Sequence, residues 1–142
     1  MMAGYSGTPL AKKLGIAEGS RVAMVSPPNG FVDGLELPPR VELRRQARGY
    51  LDVVVFFVTR RAELARRFPA MKRGLEPDGG LWIAWPKRTS GVATDLTEQR
   101  VRDVGLENHL VDNKVAAIDS IWSGLRFVYR VADRDGLRPP SR

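Results

Sequence analysis

Three short runs of this chain are apolar at odd and even positions alike. The run at 21–25 lies between Gly19-Ser20 and Ser26-Pro27-Pro28 and predicts a buried strand. The run at 52–58 is the strongest of the three, with Val53, Val54, Val55, Phe56, Phe57 and Val58 in succession. A central parallel strand covered on both sides needs that composition. The run at 81–85, with Trp82 and Trp85, follows a turn at 76–80 that contains Pro77, Gly79 and Gly80. Residues 41–43 predict a weak strand of open direction. Residues 113–118 and 125–131 predict two more, joined by a turn at 119–124.

Helical spacing occurs twice. Leu64, Phe68, Met71 and Leu75 recur at i, i+4, i+7 and i+11 and form the core face of a helix that Thr59 caps. Pro69 should kink it, because its ring meets the Ala65 carbonyl. Asp95, with Glu98 three residues on, predicts a capping box for a second helix. Leu96, Val101 and Val104 face inward there, and Gly105 ends it. Short helical turns are predicted near Pro9–Leu14, ending at Gly15, and over 31–37, stopped by Pro38-Pro39.

This order predicts one α/β domain: a single open, mostly parallel Rossmann-like sheet with helices on both faces and a C-terminal antiparallel strand pair. Residues 1–20 read as an N-terminal arm, 21–132 as the domain, and 133–142 as a disordered tail. Between Leu43 and Asp52 lie eight residues, too few for a crossover helix. Fully extended, they reach about 26–29 Å, enough to bring the chain back across a short sheet. Otherwise the strand at 41–43 is antiparallel.

The architecture and the turn leading into Leu81-Trp82-Ile83 resemble the S-adenosylmethionine-dependent methyltransferases. That family follows its first strand with a Gly-rich loop and ends its second with an acid that holds ribose hydroxyls. Here the loop is Ser26-Pro27-Pro28-Asn29-Gly30, and Leu43 is followed by Arg44-Arg45. The two prolines remove two N–H donors. These departures argue against cofactor binding by the family's usual route. Three segments carry a second resemblance: Tyr5 to Leu10, Trp85 to Gly91 with Asp95 to Glu98, and Leu110 to Val115 running on to Phe127. Together they resemble a family of small bacterial proteins catalogued as a domain of unknown function. That implies an intracellular, cytoplasmic bacterial protein and supplies no catalytic residue.

Charge adds one fact. Ten basic residues and three acids fall between Arg40 and Arg73, which accounts for the entire net charge of +7. Such a face suits a polyanion; it equally suits a solvated helix surface. No aromatics interleave the arginines, which weakens a nucleic-acid reading. With no cysteine and one histidine, His109, the chain offers no thiolate or multi-histidine metal site. No G-x-S-x-G elbow is present. No apolar run approaches the roughly 20 residues of a membrane helix.

In an open α/β sheet, ligands bind beyond the carboxyl ends of the strands. That rule gathers a candidate ligand site from Ser26, Asn29, Thr59, Arg60, Trp85, Lys87, Arg88, Ser90, Asp119, Trp122 and Ser123. Cations, hydroxyls and two flat indoles, with a helix N-terminus after Thr59, suit an anion attached to a ring. Capping by Thr59, core packing of the tryptophans and solvation of Lys87 and Arg88 would account for the same residues structurally. The expected function is a non-catalytic binding or regulatory module for an anionic small molecule or a protein partner. The alternatives are a transferase using S-adenosylmethionine or a nucleotide unconventionally, and nucleic-acid binding through the arginine-rich face. The sequence names no cofactor and leaves the oligomeric state open.

Overall fold

The computed structural model describes residues 9–137. Tyr5 to Thr8 and residues 138–142, named in the readings above, lie outside the described residues. Six strands form one sheet: β1 (Arg21–Val25), β2 (Glu42–Arg44), β3 (Leu51–Phe57), β4 (Leu75–Pro86), β5 (Val111–Ala117) and β6 (Trp122–Val128), in the order β2-β1-β3-β4-β6-β5. The first four are mutually parallel, and β6 runs antiparallel between β4 and β5. The sheet is thus mostly parallel with an antiparallel closing pair. The short strand β2 is parallel, and residues 45–50 return the chain through bends, with Arg48 N–H on the Gln46 carbonyl and Gly49 at φ +76°.

Helices α2 (Arg61–Arg73) and α3 (Glu98–Glu107) lie on one face. They bury Leu64, Phe68, Met71, Val101 and Val104 against Val54, Phe56, Leu81, Ile83, Leu125 and Phe127. The other face carries Val22, Met24, Val53, Val55, Phe57 and Trp82. It is covered by the one-turn helix α1 (Leu10–Lys13), by Leu14 and Ile16, and by Phe31, Val32 and Leu35. Helices therefore lie on both faces, but unequally. The segment at 31–37 forms turns and no helix. Leu10, Ala11, Leu14 and Ile16, in the expected arm, pack on this face, and the fully buried Trp82 donates its Nε1–H to the Leu14 carbonyl at 3.0 Å.

The other departures have local causes. β4 begins before the expected turn: Leu75 pairs Leu51 and Gly80 pairs Val53, so residues 76–79 bulge out of a continuing strand. α2 runs through Pro69. Thr97, and not Asp95, caps α3, its side chain accepting the Arg100 N–H at 3.2 Å. Gly105 does not end that helix. It lies inside α3, where a Cβ would collide with the Phe127 ring. The helix closes with His109 N–H on the Leu106 carbonyl and Leu110 N–H on the Gly105 carbonyl, His109 taking φ +65°. Residues 133–136 of the expected tail belong to a 3-10 turn that spans Val131–Gly136, and Leu137 packs against the core. Among the described residues no helix is long and apolar enough to cross a membrane.

Candidate functional site

Because β1, β2, β3 and β4 are parallel, their carboxyl ends share one edge. Val58 N–H bonds the Ala84 carbonyl at 2.9 Å, so Thr59 and Lys87 leave the sheet on the same side. Lys87 N–H then bonds the Ile121 carbonyl at 2.7 Å, which brings residues 119–122 to that rim as well. Ser26 and Asn29 follow β1 on the same edge, both exposed. Ser26 has φ +56°, a left-handed conformation uncommon for a residue other than glycine. Topology thus brings Ser26, Asn29, Thr59, Arg60, Lys87, Arg88, Ser90, Asp119 and Trp122 to one edge.

The rim does not assemble these residues into a single pocket. Trp85 is buried on the helix-covered face, and Ser123 is its cross-strand partner. Trp122 lies on the opposite face, edge-on to the Phe57 ring at 5.2 Å between centroids. Two indoles on opposite sides of a sheet cannot wall the same ligand. Asp119 Oδ1 accepts the N–H groups of Ile121 and Trp122, both at 2.8 Å, and so shapes the β5–β6 turn. Ser90 Oγ likewise accepts the Val92 N–H. Arg60 and Arg88 are exposed.

Thr59 does not cap α2. Its carbonyl accepts from Thr94 Oγ1 at 2.6 Å. The α2 N-terminus is instead met by Asp95, whose Oδ1 accepts the Arg61 N–H at 2.7 Å. The chain's own carboxylate therefore occupies the helix end that would otherwise attract an anion. The sequence reading missed this because Asp95 is equally well placed to cap its own helix.

At this edge a notch of about 160 Å³ opens between the loop after β1 and the end of β2. Pro27, Pro28, Asn29, Asp33 and Arg45 line it. Asn29 was among the candidates; Arg45 and Asp33 were not, although Arg45 marks the place where the methyltransferase pattern calls for an acid. A larger cavity, about 400 Å³, opens at the opposite, amino edge of the sheet.

No family model matches the chain, and no curated protein does. The resemblance to small bacterial proteins therefore stays an expectation. Solved structures do match. Magnesium protoporphyrin IX methyltransferase from Synechocystis PCC 6803 with bound SAH is 11% identical with a TM-score of 0.59, over 84% of this chain and 78% of that one. A SAM-dependent methyltransferase from Aquifex aeolicus is 16% identical with a TM-score of 0.58, over 83% of this chain and 86% of that one. Ribosomal protein L11 methylase from Lactobacillus delbrueckii subsp. bulgaricus is 12% identical with a TM-score of 0.55, over 85% and 75%. The chain has a methyltransferase-like, Rossmann-like fold.

Proposed function

We propose that this chain is a non-catalytic binding module on a methyltransferase-like fold, taking a small anionic molecule at the carboxyl edge of its sheet. The observation that supports this most is the notch beside the ends of β1 and β2, which sets the cation Arg45 near Asn29. Farther along the edge the chain closes the start of α2 itself, through Asp95 on Arg61 and Thr94 on Thr59. The residues present do not fit S-adenosylmethionine by the route this fold family uses. Pro27 and Pro28 offer no N–H, and β2 ends in Arg44 with Arg45 next, where an acid would hold a ribose. The notch of about 160 Å³ is below the roughly 300–1,000 Å³ of sites for drug-sized ligands. Its cation is Arg45, with Lys87 farther along the same rim, and a phosphate or carboxylate suits both.

The test is a thermal-shift and calorimetric series with S-adenosylmethionine, S-adenosylhomocysteine, nucleotides and sugar phosphates at millimolar concentration. A ligand of the folded state adds RT ln(1 + [L]/Kd) to stability. Phosphate-bearing probes should raise the melting temperature, and the rise should shrink in Arg45→Ala and Lys87→Ala. The two S-adenosyl compounds should leave it unmoved. A rise with either one overturns this reading in favour of the transferase, which the SAM-dependent enzymes among the structural neighbours favour. Binding to DNA or RNA that weakens steeply with salt would favour the arginine-rich face instead.

A further inference from the structure

The cavity of about 400 Å³ lies at the end of the sheet opposite the rim just described. Its wall combines Glu18 and Ser20 before β1, Asp52 at the start of β3, Asp78 and Gly79 in the β4 bulge, and Arg126 in β6. The volume is that of a small-molecule site.

Arg126 is the group whose surroundings point to a ligand. It is half-buried, and among the described residues it forms no ion pair. Its hydrogen bond, Nη1 to Asn113 Oδ1, is long at 3.4 Å. Its cross-strand partners are Trp82 and Lys114, an indole and a second cation. Burial pushes its pKa down, and the like charge of Arg134 adds to that. A partly desolvated cation that feels a second cation is costly until an anion meets it. The guanidinium lies against bare backbone, since a Cβ on Gly80 would collide with it. Gly79 instead packs on backbone, its Cβ position 2.8 Å from the Asp52 carbonyl. Gly80 leaves the planar fork at the cavity wall, in the form that grips a carboxylate with two parallel bonds.

Elsewhere the wall has the opposite sign. Glu18 is paired with Arg40, and Asp52 Oδ2 accepts the Arg21 N–H at 2.9 Å. Asp78 is exposed, with no hydrogen bond or ion pair among the described residues. Among the described residues none of the three pairs with Arg126, although all four groups line the same space.

We propose that this cavity binds a small zwitterion of amino-acid size, its carboxylate on the Arg126 guanidinium and its ammonium toward Asp78.

The test is calorimetric titration of the full chain with the standard α-amino acids, each compared with its N-acetyl derivative and its decarboxylated amine. At least one amino acid should bind, and both modified forms should bind about tenfold more weakly. Arg126→Gln and Asp78→Asn should each weaken binding by about tenfold, with Arg126→Lys in between. Asp78 is exposed, so its variant keeps the test readable if Arg126→Gln fails to fold. Amide shifts in an NMR titration should move at Val53, Gly79 and Gly80 and stay fixed at Asn29 and Arg45. No binding by any amino acid, unchanged affinity in Asp78→Asn, or shifts confined to Asn29 and Arg45 would each overturn the proposal. The last result would place the ligand at the rim notch instead.

Discussion

Asp95 Oδ1 accepts the backbone N–H of Arg61 at 2.7 Å, so a carboxylate 34 residues downstream closes the first turn of α2. The α2 cap position itself is Arg60, which offers no side-chain acceptor. Asp95→Ala should lower unfolding free energy by about 1 kcal/mol, the usual worth of a helix cap. Asp95→Asn should retain most of that. Urea denaturation with an unchanged slope measures both, and an unmoved midpoint in Asp95→Ala would show that the contact carries no stability.

Local signals identified most of the elements and few of the contacts between them. The strands β1, β3 and β4 were legible because apolar runs buried on both faces have few other solutions. The core face of α2 was legible because Leu64, Phe68 and Met71 repeat at the helical period. Partners that are remote in sequence were not. Asp95 satisfies the capping pattern of the helix it precedes, and nothing local reveals that a different helix starts beside it. Trp85 and Trp122 both stand at strand ends by spacing, but opposite faces follow only from the β4–β6 register, Pro86 with Trp122 and Trp85 with Ser123. Arg126 gave no signal, because its lack of an ion pair among the described residues is a property of the fold.

His109 closes α3 with φ +65°, a conformation that costs a side chain free energy and costs glycine almost nothing. The two closing hydrogen bonds, at 3.0 and 3.1 Å, involve backbone alone. His109→Gly should therefore raise stability by about 0.5–1 kcal/mol, despite the added freedom of the unfolded chain. A lower urea midpoint in His109→Gly would mean that the imidazole holds something the backbone geometry does not.

Gly105 tests packing against propensity. Alanine is favoured over glycine inside a helix by about 1 kcal/mol. Here the added methyl would enter the space of the Phe127 ring, which stacks edge-on against Phe68 at 5.7 Å. Overpacking of a tight core costs about 1–3 kcal/mol. Gly105→Ala should therefore destabilise, and a combined Gly105→Ala, Phe127→Leu variant should recover part of the loss. Stabilisation by the single change, read by thermal melting, would mean that α3 can shift away from the sheet.

Lys72 links the ends of the two long helices, its Nζ donating to the Asn108 carbonyl at 2.7 Å and lying 5.5 Å from the Tyr129 ring centroid. Burial lowers its pKa below the ordinary lysine value of 10.5, and Asp133 offsets part of that effect. The sign of the pH dependence follows. Between the lowered value and 10.5 the unfolded chain binds more protons than the folded one, so this group makes stability rise with pH. Below that window the cost of keeping the ammonium partly buried is constant. Lys72→Met removes the titration and should abolish this part of the rise. Unfolding free energies measured from neutral pH into the alkaline range should show wild type gaining on Lys72→Met as pH approaches 10.5. A constant difference across that range would mean that Lys72 is as solvated in the folded chain as in the unfolded one.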